Sequence, residues 1–213
     1  IAECRDHTPY PGLGEEGEHR PYGGRQQWET LGVVDPRDGT KEFLKRNDEF
    51  TVNIALVTKG EPVMGVIYVP ATRRLYWGEA GKGAFTADVD ADTLQPQQAP
   101  QLPLPGATQH RPLRLLPSRS HLSAETQEFI DRLKAAHGEV DTVSAGSSLK
   151  LCLVAEGKAD VYPRLAPTME WDTAAGHAIA RAAGCTVMQA GTTEPLHYNK
   201  ENLLNPFFVV SRS

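Results

Sequence analysis

Cysteine is scarce in this chain: three in 213 residues, at Cys4, Cys152 and Cys185. An odd, widely spaced set without a C-x-x-C pair argues against a disulfide framework or a zinc module. Reduced thiols in a cytosolic protein are the default, and Cys152 and Cys185, in apolar stretches, are expected to be inert core. Positive charge is also short. Lys and Arg number 22 against 27 Asp and Glu, a net charge of −5, which leaves no basic footprint for nucleic acid. No apolar run approaches the roughly 18 residues of a transmembrane helix, and no signal peptide is evident in this segment. Internal repeats are absent. Aromatic residues are modest at 7%, yet 39% hydrophobic residues suffice for a real core, and the length suits one compact unit or two small lobes.

What is present alternates. Residues 1–30 are polar and rich in Gly and Pro, reading as a loop that leads to a first strand. Residues 50–58 and 63–69 read as neighbouring strands across the turn Lys59-Gly60-Glu61-Pro62, and 75–78 and 83–85 continue an antiparallel meander. Residues 86–112 turn to Pro, Gln, Ala and Asp and read as a long surface connection. Beyond it, strands are expected at 113–116, 140–143, 159–162, 186–188 and 207–211. Helices are expected at 124–137, 147–156 and 172–183. The division that follows is an N-terminal lobe over 1–105 with an antiparallel sheet and a C-terminal α/β lobe over 106–213.

The densest chemistry lies in Val33-Val34-Asp35-Pro36-Arg37-Asp38-Gly39-Thr40. The β-branched pair reads as the end of a buried strand that Pro36 stops. Asp35 and Asp38 then share a tight turn, close enough to hold one divalent cation. Gly39 admits close backbone approach, and Thr40 caps a short helix over about 41–46 whose free amides attract a phosphate oxyanion. An ordinary capped turn is the competing reading. Further acidic groups stand at Glu15-Glu16 and at Asp172 in Trp171-Asp172-Thr173-Ala174-Ala175-Gly176. Paired glutamates are usually solvated surface, and an Asp before an Ala-rich stretch is usually a helix cap. Taken together with Asp35 and Asp38, they make a set of hard oxygen donors large enough for two or three Mg²⁺ ions.

Asp35-Pro36-Arg37-Asp38-Gly39-Thr40, its continuation through Lys41-Glu42-Phe43 to Glu49-Phe50-Thr51-Val52-Asn53, and Trp171-Asp172-Thr173-Ala174-Ala175-Gly176-His177 resemble the two signatures of the inositol monophosphatase superfamily. Lys41-Glu42-Phe43, Gly146-Ser147-Ser148-Leu149-Lys150 and Ser118-Arg119-Ser120-His121 are similar to one branch, the bacterial 3′(2′),5′-bisphosphate nucleotidases of CysQ type. The similarity runs from about Gly14 to Val210. It implies an α+β fold with α/β character, a layered αβαβα sandwich. Members begin with a further helix pair carrying a Thr-x-Ala-Asp segment whose Asp helps activate the attacking water. The chain from Ile1 carries no such segment, so the expectation is the sandwich without that pair, in an enzyme that is incomplete as it stands.

The resemblance also implies roles. Glu15, Asp35, the Arg37 carbonyl, Asp38 and Asp172 would hold two or three Mg²⁺ ions, with Asp35 bridging; members usually carry Leu or Ile where Arg37 stands. Thr40, Glu15 and Asp38 would be catalytic, Thr40 orienting the water. Gly39, Thr40, His121, Ser148, Lys150, Arg164 and Asp172 would bind the substrate, with the Gly39 and Thr40 amides on the scissile phosphate. A small phosphorylated nucleotide is the expected partner, hydrolysed at its 3′-phosphate with sensitivity to Li⁺, by a monomer or homodimer linked to sulfate assimilation. The location expected is cytoplasmic, with peripheral attachment at the inner membrane as an alternative. Two other functions stay open: inositol monophosphate or fructose 1,6-bisphosphate hydrolysis, and an impaired protein that binds metal and nucleotide without cleaving. His177 is expected to be packed or solvent-facing, and Glu16 a surface residue.

Overall fold

The computed structural model describes residues 8–16, 20–39, 49–104, 112–117 and 123–212. The first sheet starts with β1 (Gly12–Gly14), lying parallel to β2 (Thr30–Asp38), and the short helix α1 (Tyr22–Arg25) falls between them. An antiparallel meander follows: β3 (Thr51–Thr58), β4 (Glu61–Val69), β5 (Arg74–Glu79) and β6 (Gly83–Val89), which β7 (Pro96–Gln97) and β8 (Gln101–Leu102) both join. The meander is the expected one. Residues 1–30 are not all loop, however, because β1 completes the edge beside β2. Nor is 86–112 a free connection, since β6 extends to Val89 and β8 brings the buried Leu102 back against Ala84.

The second sheet runs β10 (Val140–Thr142), β9 (Leu113–Leu115), β11 (Val161–Arg164), β13 (Phe208–Arg212), β12 (Cys185–Gln189), with β9, β10 and β11 parallel and β13 antiparallel to both its neighbours. Two helices, α3 (Leu149–Glu156) and α4 (Glu170–Ala182), fill the space between the sheets. One continuous core joins Val57 and Ile67 of the first sheet, Leu151 and Ile179 of these helices, and Phe208 and Val210 of the second. Outside the second sheet, α2 (Ala124–His137) packs Ile130 against Leu115 and Val161. Ser123 caps it by accepting from the Thr126 amide at 3.2 Å, and Gly138 ends it. Among the described residues the order of layers is sheet, helices, sheet, helix, in keeping with the expected layered sandwich.

How low α4 sits on the first sheet is set by glycine. Gly65 and Gly78 face each other across β4 and β5. A Cβ on Gly65 would collide with the Ala175 carbonyl, and one on Gly78 would lie 2.8 Å from the Ile179 Cα. Bare backbone at both positions forms a trough in which the helix rests. The opposite face of this sheet is partly exposed and apolar, with Ile54, Met64 and a Trp77–Phe85 stack at 5.6 Å between ring centroids.

Candidate metal centre

Pro36 does not stop the strand: β2 continues through it to Asp38. A proline cannot donate to a ladder, and it is tolerated here because the strand is bulged. Asp35 pairs with Asn53 and Asp38 with Thr51, so β2 advances three residues while β3 advances two. In a regular strand, residues three apart point to opposite faces. The extra residue turns Asp38 to the side that Asp35, Asn53 and Thr51 occupy, and the Arg37 amide closes the bulge by donating to Asp35 Oδ1 at 2.9 Å. Asp35 and Asp38 are thus brought together by a bulge instead of a turn. Gly39 follows at φ +85°, a left-handed conformation that suits glycine, and redirects the chain. Thr40 and the expected helix over 41–46 lie outside the described residues.

The third carboxylate comes from α4. The helix begins at Glu170, two residues before the expected start, so Asp172 lies in its first turn. There Asp172 Oδ2 accepts from the Met169 amide at 2.7 Å. Resting on the glycine trough, the helix carries Asp172 to the bulge. One oxygen of each of Asp35, Asp38 and Asp172 lies within 4.8 Å of the other two. No Lys or Arg nitrogen lies within 4.0 Å of these three carboxylates among the described residues.

Burial acts on all three, and repulsion between carboxylates on Asp35 and Asp172. Burial first, then the charge of Asp38, pushes Asp35 up to about 8, against the backbone bond from Arg37. Asp172 is pushed up to about 7 by burial and then by Asp38. Burial raises Asp38 too, opposed by the Ser148 amide and side chain, by Asn53 and by the charge of Lys150. Three carboxylates whose hard oxygens converge, with no salt-bridge partner among the described residues, suit a divalent ion. Glu15, exposed just beyond β1, is outside this trio, although its charge helps raise both Asp35 and Asp172. Glu16 is exposed, as expected.

Lys150 is not a solvated side chain. It is 5% exposed, and its ammonium lies 5.4 Å from the centre of the Tyr162 ring. Arg164 ends β11, donates from Nη2 to the Pro167 carbonyl at 3.1 Å and keeps an enclosed Nε with no hydrogen-bond partner. Its charge pulls downward on Asp172. Ser148 sits under Asp38 as the N-cap of α3, which starts at Leu149, later than expected. Ser118, Arg119, Ser120 and His121 lie outside the described residues. His177 is packed: 1% exposed, its Nδ1 3.0 Å from the Tyr198 hydroxyl. Cys152 and Cys185 are free, buried thiols, held well above the usual thiol range by burial.

Sequence reasoning missed the supports. Glu170, Thr51, Asn53, Gly65 and Gly78 went without roles, although glycines inside two neighbouring strands were a readable sign of close backbone approach.

A layered α/β protein with three acidic side chains converging at the edge of its central helix layer is of the metal-dependent phosphatase type. The chain belongs to the inositol monophosphatase family, whose model matches residues 6–207. The 3′(2′),5′-bisphosphate nucleotidase CysQ of Escherichia coli strain K12 is 47% identical over 188 residues, 88% of this chain and 70% of that protein. The protein of the same name from Haemophilus influenzae is 35% identical over 202 residues, 94% of this chain and 71% of its own length. Among solved structures, CysQ from Bacteroides thetaiotaomicron superposes with a TM-score of 0.91 at 54% identity, covering 99% of this chain and 80% of that one. Inositol monophosphatase-II from Staphylococcus aureus, at 22% identity and a TM-score of 0.70 over 98% of this chain and 71% of its own, shares the fold. No helix among the described residues is long and apolar enough to cross a membrane.

Proposed function

We propose that this protein is a Mg²⁺-dependent phosphomonoesterase that converts adenosine 3′,5′-bisphosphate and water to AMP and orthophosphate. Water adds to phosphorus and gives up a proton, the bond from phosphorus to the 3′-oxygen breaks, and the departing oxygen takes up a proton to become the 3′-hydroxyl of AMP. The observation that carries this reading is the convergence of Asp35, Asp38 and Asp172 within 4.8 Å, in a chain 47% identical to a bisphosphate nucleotidase. Asp35, Asp38, Asp172, Glu15 and the Arg37 carbonyl would hold two or three Mg²⁺ ions. When bound, these ions supply charge neutralisation at the phosphate and a lowered pKa for the attacking water.

The chain's own residues do the rest. Asp35 and Asp172 release their protons as the site fills, because only the carboxylates are ligands. The amides of Gly39 and Thr40 would bind the scissile phosphate, and Thr40 would orient the water. Lys150 and His121 would bind the nucleotide and its remaining phosphate, with Ser148 as a further substrate contact. The enclosed Arg164 Nε is a donor in need of an acceptor, which a ribose or phosphate oxygen supplies. A cytoplasmic location agrees with the free thiols of Cys152 and Cys185.

Phosphate release from adenosine 3′,5′-bisphosphate in Mg²⁺, with and without Li⁺, tests the reading. Turnover that Li⁺ suppresses supports it. Preference for inositol monophosphate or fructose 1,6-bisphosphate would move the substrate assignment. Metal-dependent nucleotide binding without turnover would leave a binding protein.

A further inference from the structure

Beneath the metal centre lies a second polar layer, closed off from solvent. Thr51, Asn53 and Ser148 are 0%, 1% and 3% exposed, and all three reach Asp38. The Ser148 amide donates to Asp38 Oδ2 at 2.6 Å, while Asn53 Nδ2 and Thr51 Oγ1 stand 3.4 Å from the same oxygen. The proton count gives this layer a direction. Ser148 Oγ donates to Asn53 Oδ1 at 2.9 Å, so Thr51 Oγ1 must be the donor in its 2.8 Å contact with Ser148 Oγ. The longer Thr51 approach to Asp38 is then secondary. The chain therefore runs from the Thr51 hydroxyl to the Ser148 hydroxyl to the Asn53 carbonyl oxygen, and the Asn53 amide nitrogen is left facing Asp38. A Ser148 without its proton would free the amide to turn its oxygen toward the carboxylate.

The same segment is strained. Ser147 adopts φ +43°, a left-handed conformation on a residue with a Cβ, and its hydroxyl donates to the Glu49 carbonyl at 2.6 Å. Strain of this kind persists only where surrounding contacts enforce it, and it clusters at functional sites. Ser147 and Ser148 precede α3 between the sheets; Glu49, Thr51 and Asn53 lie on or beside β3 of the first sheet.

We propose that Thr51, Asn53 and Ser148 are positioning residues that occupy Asp38 Oδ2, reserve Oδ1 for the cation, and lock the start of α3 to the metal centre. The inference rests on Asp38 being a cation ligand, as in the function above. It places Ser148 in the support of the metal centre first and of the substrate only second. Because Lys150 is two residues further along the same turn, an ordered Asp38 and a correctly set Lys150 become one event.

The test uses Mn²⁺ as probe, titrated by calorimetry or by the EPR signal of the free ion, without nucleotide. Thr51→Val keeps the volume and removes the hydroxyl; Thr51→Ser keeps the hydroxyl; Ser148→Ala removes the central link and leaves its backbone amide in place. Removing a supporting hydrogen bond at a metal ligand characteristically weakens binding 10–100-fold, so Thr51→Val and Ser148→Ala should each lose about 10-fold in Mn²⁺ affinity and Thr51→Ser less than about twofold. Melting temperatures in chelator, which a purely structural role would lower, should stay near the parent's. Parent-like affinity in Thr51→Val and Ser148→Ala, or equal losses in Thr51→Ser and Thr51→Val, overturns the proposal while the parent's own binding leaves the function standing. A parent that takes up no divalent cation overturns both.

Discussion

The molecule buries or half-buries two kinds of carboxylate, and they are treated in opposite ways. Glu170 and Glu156 are 0% and 1% exposed, and each is neutralised from within. Glu170 receives Lys200 Nζ at 2.6 Å together with the amides of Asn199 at 2.7 Å and Lys200 at 3.0 Å. Glu156 receives Lys158 at 2.8 Å, Arg74 at 3.5 Å and the Tyr76 hydroxyl at 3.2 Å. Asp35, Asp38 and Asp172 receive amides and hydroxyls, and among the described residues no salt bridge is made to any of them. A buried charge costs several kcal/mol unless it is compensated. The first kind is compensated by the chain and serves structure; the second is the kind that, on the proposed function, a bound cation would compensate. Only two residues separate Glu170 from Asp172 on one helix, so the difference belongs to what the rest of the fold brings to each.

The sharpest break between the two kinds comes from removing a charge from each. Asp35→Asn should abolish cation binding and lower phosphate release by about a thousandfold, the equivalent of roughly 4 kcal/mol. Its melting temperature in chelator should hold or rise, because an amide, unlike the carboxyl, cannot ionise beside Asp38 and Asp172; calorimetry and a phosphate assay read both. Glu170→Gln should do the reverse, lowering unfolding free energy by about 2–3 kcal/mol, a value discounted for the partial exposure of Lys200. Equal destabilisation of Asp35→Asn and Glu170→Gln in chelator would erase the distinction.

Proton linkage gives a smaller, continuous form of the same contrast. Asp35 and Asp172 have folded pKa values raised from 3.8 to about 8 and about 7. The folded metal-free state therefore holds protons that the unfolded chain releases. Their contribution to stability is complete below the unfolded value and is lost as pH rises through the folded values. In chelator the melting temperature should fall across that window, with a slope of order 1 kcal/mol per pH unit. Saturating Mg²⁺ should reverse the slope, since the ion selects the carboxylates. A pair of melting curves against pH, with and without metal, checks both signs. The smallest effect is expected at the exposed Glu79–Lys82 pair, where Glu79→Gln should change stability by about 0–0.5 kcal/mol in urea unfolding.

Much of this was legible before folding. The alternation over 50–58 and 63–69 predicted the meander, because period-2 apolar patterning is a local property of a half-buried strand. The acidic residues and their glycine neighbour announced the metal chemistry for the same reason: residue type and short spacing need no fold. Pro36 misled. Its effect depends on whether the strand is bulged, and that depends on how β3 pairs opposite it. Lys150 and Ser148 read as substrate contacts, but nothing local reveals that Ser148 also donates to Asp38 or that Lys150 packs against Tyr162. Glu170 gave no sign of its burial, since Lys200 and Asn199 reach it from far along the chain.

The amino-acid order by itself determined the donors: three aspartates, the left-handed Gly39, the Ser147-Ser148 pair and two strand glycines. Tertiary structure alone decided that these donors meet. A bulge turned Asp38 to the face of Asp35, and the Gly65–Gly78 trough let α4 lie low enough to deliver Asp172. Local chemistry is written residue by residue. Convergence within a few ångströms depends on register and on how closely two backbones can pack, and those are settled only when the sheet and the helix are assembled together.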